Sequence, residues 1–598
     1  MIRFLSCFTR IVGVQAALLV LGPGMCCSAI AETVEDHAVQ AGATVTEFPA
    51  AIVLAWPVDA AANGWTVERK LRGDAAWGPA IKLPAKATGW TDANVEVGVL
   101  YEYRITKMAR GYASHWGDSA ASLGYLCSGI RVALPDHRGT LILVVDETMA
   151  APLAEELARL RQDLIGDGWT VIRHDVPRGA NETGVSDFEA VTAVKKLIKA
   201  DYDAAPGEVR SVLLFGHIPV PYSGDISPDG HGEHHGAWTA DMYYADPVGT
   251  WTDDTVNNPH PGWWPLVKNI PGDGKFDQSE PPKPVTLEVG RVDLWNMPAF
   301  AKGETELLRQ YLDKDHKHRY AVNVLPRQGF IDDRFGEKGY FLAANGWRNW
   351  ASFFGAAGIT AGKDNFATVA DHPYLCFYGC GGGDPIQYGR DRPDTDKHPP
   401  VRTADFAGMD PKAAFFLLWG SWFGDWNTKD NLLRAPLATT SYGLVSGWSG
   451  IPNWFMHTMA MGGTIGEALR LTQNNDKNGI YLPHTEGDHQ THIALMGDPT
   501  LRLFAVTPPT ELSATRDAAS HAVLHWTASA DATLGYQIFR SANPDGPFVR
   551  ITDKPLSVTA FTDSTAGAWV YQVKAVKLET TAGGTFINLS QAVTAVLK

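Results

Sequence analysis

The chain has few cysteines, no excess of positive charge and, after its N-terminal segment, no long apolar run. Of its six cysteines in 598 residues, Cys127, Cys376 and Cys380 follow residue 31, which is too few for a disulfide framework. A formal net charge of −15 argues against nucleic acid and anionic membranes as partners. No later segment has the roughly 20 consecutive apolar residues of a transmembrane helix, so we predict no membrane span.

The N-terminus has the three parts of an export signal. Positive charge within the first ten residues precedes an apolar run over 11–21, and Ala29-Ile30-Ala31 is a small-x-small cleavage site. The apolar run is too short, and too interrupted by glycine and proline, for a membrane anchor. We predict a signal peptide over residues 1–31 and an exported protein of the periplasm, the cell surface or the surrounding medium.

The remaining chain is too long for one hydrophobic core, and about three or four domains are expected. Residues 45–128 and residues 508–598 each read as a small β-sandwich, because short strands of alternating polarity are separated by turns. Trp56 on an early strand and Tyr101-x-Tyr103 on a late one make the first resemble a fibronectin type III module. The second resembles such a module more clearly, and both would serve for spacing and attachment.

Strands and helices alternate in the middle of the chain. Apolar runs of strand length are interleaved with segments of helical spacing, which predicts a doubly wound, mainly parallel sheet. The predicted strands are 140–146, 169–174, 211–215, 286–289, 374–378 and 415–419. The predicted helices are 150–166, 185–199, 299–320 and 463–473. Sheets of this kind bind ligands beyond the carboxyl ends of their strands.

Three of these strands end in glycine beside a residue that carries chemistry. Gly216-His217 follows one strand, Gly379-Cys380-Gly381 ends another, and Gly420-Ser421 follows a third. Glycine at such positions lets the backbone approach a ligand and frees amides for an oxyanion. The catalytic candidates are Cys380, Ser421 and His217, and the binding candidates are Gly379, Gly381, Gly420, Trp422, Asp425 and Trp426.

Several short motifs follow one another between residues 135 and 505. They are Val212 to Gly216, Asp241 to Tyr244, Val289 to Val292, Glu306 to Tyr311, the Gly-x-Gly turn at 379–381, the run at 420–425 and Gly497 to Leu501. Their order resembles that of the gingipain-like cysteine peptidases. The resemblance implies a caspase-like α/β fold and descent from secreted cysteine peptidases, and a C-terminal β-sandwich is usual in that family.

The chain departs from this family at both catalytic positions. Cys380 stands where the family has its histidine, and Ser421 stands where the family has its nucleophilic cysteine. A peptidase of this type needs a thiolate activated by an imidazole, so the family mechanism does not carry over to this pair. We therefore predict a non-catalytic surface protein that binds a peptide, a protein or a glycan. The alternative is an active secreted endopeptidase of cysteine or serine type.

Three uses of the site stay open from the sequence. Cys380 could be the nucleophile with a histidine as its base, Ser421 could be activated in the same way, or the pocket could bind without cutting. The histidines considered as bases are His217, His457, His489 and His492. An imidazole within hydrogen-bond reach of either candidate nucleophile would favour the enzyme. An aromatic crevice without one would favour the binding protein.

Tryptophan is frequent, with 20 copies, and five lie near the candidate site in the sequence. These are Trp419, Trp422, Trp426, Trp448 and Trp454. They belong either to the core or to a platform on which a side chain or a sugar ring stacks.

Two segments have metal-binding character. Asn269, Asp273, Asp277 and Glu280 match ligand positions of a calcium loop, although Pro271 occupies a ligand position, and a plain turn is the alternative. Calcium is the one cofactor this suggests, and none is required. The run 229–235 contains three histidines, an aspartate and a glutamate, and we interpret it as a solvated loop rather than a transition-metal site.

Overall fold

The computed structural model describes residues 33–109, 121–180, 187–255, 268–336, 340–362, 366–389, 399–449, 451 and 453–597. The predicted signal peptide lies outside these residues. Within them, no helix is both long enough and apolar enough to cross a membrane.

The first β-sandwich encloses a core of aromatic and aliphatic side chains. Its strands are β1 (Gly42–Thr46), β2 (Ala51–Ala55), β3 (Ala62–Leu71), β4 (Ile81–Pro84), β5 (Gly89–Asp92), β6 (Leu100–Ala109) and β7 (Ala121–Ala133). One sheet contains β1, β2 and β5, and the other contains β4, β3, β6 and β7 as neighbours. Because side chains alternate along a strand, Trp56, Trp65 and Tyr103 all point into the space between the sheets.

The central domain is built on a ten-stranded sheet. The strands of this part of the chain are β8 (Gly139–Asp146), β9 (Trp169–Val176), β10 (Val209–Phe215), β11 (Tyr222–Ile226), β12 (Gly236–Thr239), β13 (Glu288–Val292), β14 (Gly329–Asp333), β15 (Ile359–Ala361), β16 (Tyr374–Cys380), β17 (Gly383–Asp384), β18 (Gln387–Tyr388), β19 (Val401–Arg402), β20 (Ala413–Trp419), β21 (Val445–Trp448) and β22 (Leu495–Gly497). The helices are α1 (Glu147–Ala150), α2 (Ala154–Asp167), α3 (Phe188–Ala204), α4 (Met242–Ala245), α5 (Glu304–Arg319), α6 (Ala344–Phe354), α7 (Thr368–Asp371), α8 (Thr403–Met409), α9 (Ala435–Ala438) and α10 (Ile465–Gln473).

This sheet consists of two parallel halves that run in opposite directions. Its strand order is β15-β14-β16-β20-β21-β22-β13-β10-β8-β9. Every neighbouring pair is parallel except β21 and β22, which are antiparallel. The prediction of a mainly parallel sheet is therefore confirmed, but the carboxyl ends of the strands lie at two opposite edges rather than at one.

The second β-sandwich follows the central domain. Its strands are β23 (Thr510–Arg516), β24 (Ala522–Thr527), β25 (Gly535–Ser541), β26 (Val549–Arg550), β27 (Ala560–Asp563), β28 (Val570–Thr581), β29 (Gly584–Leu589) and β30 (Val593–Val596). One sheet has the order β23-β24-β27, and the other contains β26, β25, β28 and β29, with β30 paired to β28. Trp526, Tyr536 and Tyr571 form the centre of its core.

The two sandwiches share a sheet. β29 pairs in parallel with β7, with Gly584 opposite Gly129 and Phe586 opposite Val132. A Cβ atom on Gly584 would lie 2.4 Å from the carbonyl oxygen of Gly129, so this approach requires glycine. Phe586 is fully buried and belongs to the core of the central domain. The C-terminal sandwich is therefore packed into the rest of the protein rather than suspended from it.

A chain that ends at residue 507 is expected to melt at a lower temperature than the full chain and to aggregate. Deletion would remove Phe586 from the central core, and loss of one buried phenylalanine alone costs about 3–5 kcal/mol. It would also remove the ion pair between Arg327 and Glu579, whose atoms lie 2.7 Å apart. Differential scanning fluorimetry and light scattering of both chains measure this. A truncated chain that stays monomeric with an unchanged melting temperature would contradict the shared packing.

Candidate active site

The candidate residues divide between the two edges of the central sheet. Cys380, the last residue of β16, pairs with Trp419 of β20, so Cys380 and Ser421 lie at the same edge. β10 belongs to the half that runs the other way. His217 follows β10 and therefore lies at the opposite edge. The expectation that its imidazole could act as the base for Cys380 or Ser421 is wrong for this reason.

The imidazole that reaches Ser421 belongs to His231. Its Nε2 atom lies 3.0 Å from the Oγ atom of Ser421, although the two residues are 190 positions apart. The side chain of His231 is exposed, whereas Ser421 is only 9% exposed. The segment between β11 and β12 carries His231 across to the edge at which β20 ends. A hydroxyl and an imidazole at this distance have the geometry of a nucleophile and its general base.

A tight turn presents Ser421 at the end of β20. The amide of Phe423 donates to the carbonyl of Ser421 at 2.9 Å, and the amide of Asp425 donates to that of Trp422 at 2.9 Å. Trp422 has a φ of 69°, in the left-handed region that bulky side chains rarely adopt. Strained backbone of this kind persists only where the surrounding structure imposes it, and it is concentrated at functional sites.

Asp229 lies behind the pair of Ser421 and His231. Its Oδ1 atom accepts from the amide of His231 at 3.2 Å, and its Oδ2 atom accepts from the amide of Trp422 at 3.3 Å. The Nδ1 atom of His234 also contacts Oδ2. Asp229 and His234 are 2% and 3% exposed, and burial lowers the pKa of His234. The expectation of a solvated loop is therefore wrong for these two residues.

Cys380 is a buried thiol that donates to a carboxylate. Its Sγ atom lies 3.3 Å from the Oδ1 atom of Asp333, and its side chain has no solvent exposure. Burial raises the pKa of Cys380 well above its usual range, and the charge of Asp333 raises it further. A thiol held protonated in this way is a poor nucleophile. The geometry therefore favours Ser421 over Cys380.

The other predicted bases are engaged elsewhere. His217 lies between two acceptors, with Nδ1 2.8 Å from Asp293 and Nε2 2.9 Å from the carbonyl of Ala180. The remaining three contact other partners: His457 contacts Glu102 of the first sandwich, His489 contacts the carbonyl of Gln473, and His492 packs edge-on against Trp448.

The predicted binding glycines and tryptophans are packed against other protein atoms. Protein atoms fill the space beside Gly379, Gly381 and Gly420, where an added Cβ would meet neighbours within 3 Å. Trp422 and Trp448 both stack on Trp238, with ring centroids 5.7 and 5.8 Å apart. All five tryptophans near the site in sequence are buried, as is Asp425, and their distribution indicates a core role: Trp419, Trp422, Trp426, Trp448 and Trp454.

The acidic segment predicted to bind calcium is held by hydrogen bonds within itself and to residues 252–254. Asp277 accepts from the Thr252 hydroxyl and the Asp254 amide, both at 2.8 Å, and Asp273 accepts from the Lys275 amide at 3.0 Å. Among the residues described, no three His, Cys, Asp or Glu side chains are grouped to hold a metal ion. Calcium binding by Asn269, Asp273, Asp277 and Glu280 stays a prediction.

No family profile and no curated protein matches the chain. Among solved structures, the chain is similar to a Fn3-like protein from Clostridium thermocellum at 29% identity. The match covers 16% of this chain and 94% of that one, with a TM-score of 0.13, and it does not define the fold of any part of this protein. The fold is thus described from its own sheets: a mixed α/β domain between two β-sandwiches.

His231 is the candidate site residue that the sequence alone does not identify. The histidines of the run 229–235 suggest metal binding or a solvated loop, and nothing in the local pattern points to Ser421. Its place in a long insertion between β10 and β13 was the available signal. Because β10 and β13 are parallel, the insertion leaves the sheet at the end of β10 and must cross the domain to reach the start of β13.

All three described thiols are expected to resist alkylation in the folded protein. Burial raises the pKa of Cys127 to about 12 and the pKa values of Cys376 and Cys380 well above their usual range. Iodoacetamide treatment with and without urea, followed by peptide mapping, measures this. Rapid alkylation of Cys380 in the native protein would contradict the burial and would restore it as a nucleophile.

Proposed function

We propose that the protein is an exported serine-type hydrolase in which Ser421 is the nucleophile and His231 is the general base. The observation that carries this proposal is the distance of 3.0 Å between the His231 Nε2 and Ser421 Oγ atoms. A serine hydroxyl is a weak nucleophile unless a base accepts its proton as it attacks.

The reaction this pair supports is acyl transfer to water. Ser421 Oγ bonds to the carbonyl carbon of an amide or ester while its proton passes to His231 Nε2. His231 then returns that proton to the leaving amine or alcohol as the carbon–heteroatom bond breaks. Water attacks the resulting acyl-enzyme, gives its proton to His231, and the proton returns to Ser421 as the acid is released.

Peptides are the substrate class that we propose. The order of motifs over 135–505 resembles that of gingipain-like peptidases, and Ser421 occupies the position of their nucleophile. Ser421 and His231 would then take over the roles of the cysteine and the histidine of that family. Export, which the N-terminal segment predicts, suits an enzyme that acts on external proteins.

Non-catalytic peptide or glycan binding is the second candidate, and one observation favours it. The amide of Trp422, next to the nucleophile, already donates to Asp229 at 3.3 Å. A hydrolase of this type places such an amide on the oxyanion of the tetrahedral intermediate. Because that amide is held by Asp229, an oxyanion at Ser421 would have to be stabilised by other donors.

Hydrolysis of a mixed fluorogenic peptide library and of p-nitrophenyl esters by the purified protein tests the proposal. Turnover that is absent from the Ser421→Ala protein is expected. A well-folded protein that turns over neither substrate class would overturn the proposal, and binding to peptide and glycan arrays would then decide for the second candidate.

A further inference from the structure

We infer that Asp229 is a positioning residue that fixes the distance between His231 and Ser421. This inference rests on the proposed function and deepens it. Asp229 is not proposed to touch the substrate. It acts by holding the backbone on which each of the two catalytic side chains is carried.

One carboxylate is bonded to both sides of the site. Its Oδ1 atom accepts from the amide of His231 at 3.2 Å, which fixes the residue that carries the base. Its Oδ2 atom accepts from the amide of Trp422 at 3.3 Å, which fixes the turn that carries Ser421. His231 and Ser421, which these segments carry, are 190 residues apart in the sequence. Asp229 therefore has one hydrogen bond to the segment that carries His231 and another to the turn that carries Ser421.

His234 holds this carboxylate in place from a third direction. Its Nδ1 atom contacts Asp229, and its backbone carbonyl accepts from the indole N–H of Trp238 at 2.9 Å. Trp238 in turn stacks on Trp422. The carboxylate is thus buried and held from three sides, by the amides of His231 and Trp422 and by the imidazole of His234.

Replacing Asp229 by Asn removes one acceptor from an arrangement that uses both. An Asn side chain has a single acceptor oxygen, so its NH₂ group would face one of the two amide donors. The side chain would then be repelled from either the His231 or the Trp422 amide. Small errors in nucleophile–base geometry are costly, since a displacement of about 1 Å lowers rates by about 100-fold.

The same segment offers a matched control. Asp225 also pairs with an imidazole, with 2.5 Å between its Oδ1 atom and Nε2 of His235, but the hydrogen bonds described for it do not include the Ser421 turn. Asp225, on the adjoining strand β11, therefore offers a substitution to Asn that removes a carboxylate paired with a histidine, while leaving both bonds from Asp229 intact.

The test is the rate at which a fluorophosphonate labels Ser421 in the full chain, followed by mass spectrometry. Asp229→Asn is expected to lower the maximal labelling rate at least tenfold, with the half-saturating reagent concentration unchanged, and Asp225→Asn to stay within twofold. In the His231→Ala background, Asp229→Asn should add no further loss, because the distance between His231 and Ser421 that Asp229 sets no longer matters once the imidazole is gone. Asp229→Ser, which keeps a single short acceptor, is measured too in case Asp229→Asn does not fold.

If the wild-type protein is labelled and the folded Asp229 variants are labelled at the same rate, this inference is overturned while the proposed function stands. An additive loss in the His231→Ala background would also overturn it, since a purely structural effect would persist there. A wild-type protein that is labelled no faster than Ser421→Ala would overturn the proposed function itself.

Discussion

Ser421→Ala and His231→Ala should each lower kcat for peptide or ester hydrolysis by about 1,000-fold or more, and the double variant should be no worse than either alone. A nucleophile and its base act as one unit, so removing either removes the pathway. KM should change little, because neither side chain is needed to hold the ground state. Steady-state kinetics on a fluorogenic substrate measures all three variants.

Cys380→Ala is the control for this experiment. Its thiol is buried against Asp333 and is not part of the proposed reaction, so kcat should stay within a few-fold of wild type. The opposite pattern, in which Cys380→Ala is inactive and Ser421→Ala is active, would show that the nucleophile is the cysteine.

Asp293→Asn is expected to lower the free energy of unfolding by about 3–5 kcal/mol. The carboxylate is fully buried and lies 2.8 Å from His217, 3.3 Å from Arg434 and 3.8 Å from Arg291, all themselves buried. Removing its charge leaves these groups without their shared counter-charge in a dry environment, while the side-chain volume hardly changes. Urea unfolding followed by tryptophan fluorescence measures the loss.

The pH dependence gives a second check on Asp293. Burial alone would raise the pKa of Asp293, but the charges of His217, Arg434 and Arg291 outweigh it and hold that pKa well below its usual range. A carboxyl group of this kind stabilises the fold above its unfolded pKa of about 3.9, and the stabilisation is lost as pH falls below that value. The difference in the free energy of unfolding between wild type and Asp293→Asn should therefore become smaller as the pH falls below about 3.9.

A surface carboxylate provides the comparison. Asp313 pairs with Arg159 at 2.5 Å, but the Asp313 side chain is 43% exposed and the Arg159 side chain 34%. Asp313→Asn is expected to cost less than about 1 kcal/mol. If Asp293→Asn lowered the free energy of unfolding by no more than Asp313→Asn does, the charge of Asp293 would not be what stabilises the buried cluster.

Strongly patterned segments were predictable from the sequence. Continuous apolar runs identified β8, β10, β16 and β20, because a strand covered on both faces is apolar throughout. Alternating polarity identified the long strands of both sandwiches. Shorter strands are not predictable in this way, because β15 and β22 each have three residues, too few for any periodicity to show.

The candidate site was predictable only in part. Residues that follow buried strands were correctly expected at the edges of the sheet, and Ser421 was among them. Which edge each strand end occupies depends on the direction of β21 relative to β22, and a single strand has no sequence mark of its direction. The partner of Ser421 then comes from an insertion whose path is set by tertiary packing, so its arrival at 3.0 Å could not be read from local pattern.

The pairing of β7 with β29 also constrains the order of folding. The amide of Arg131 in β7 donates to the Thr585 hydroxyl in β29, 454 residues later in the chain. During synthesis the edge of β7 thus stays open until β29 has been made, and open edges invite pairing with other chains. A protein of this design benefits from being kept unfolded until β29 is available to pair with β7.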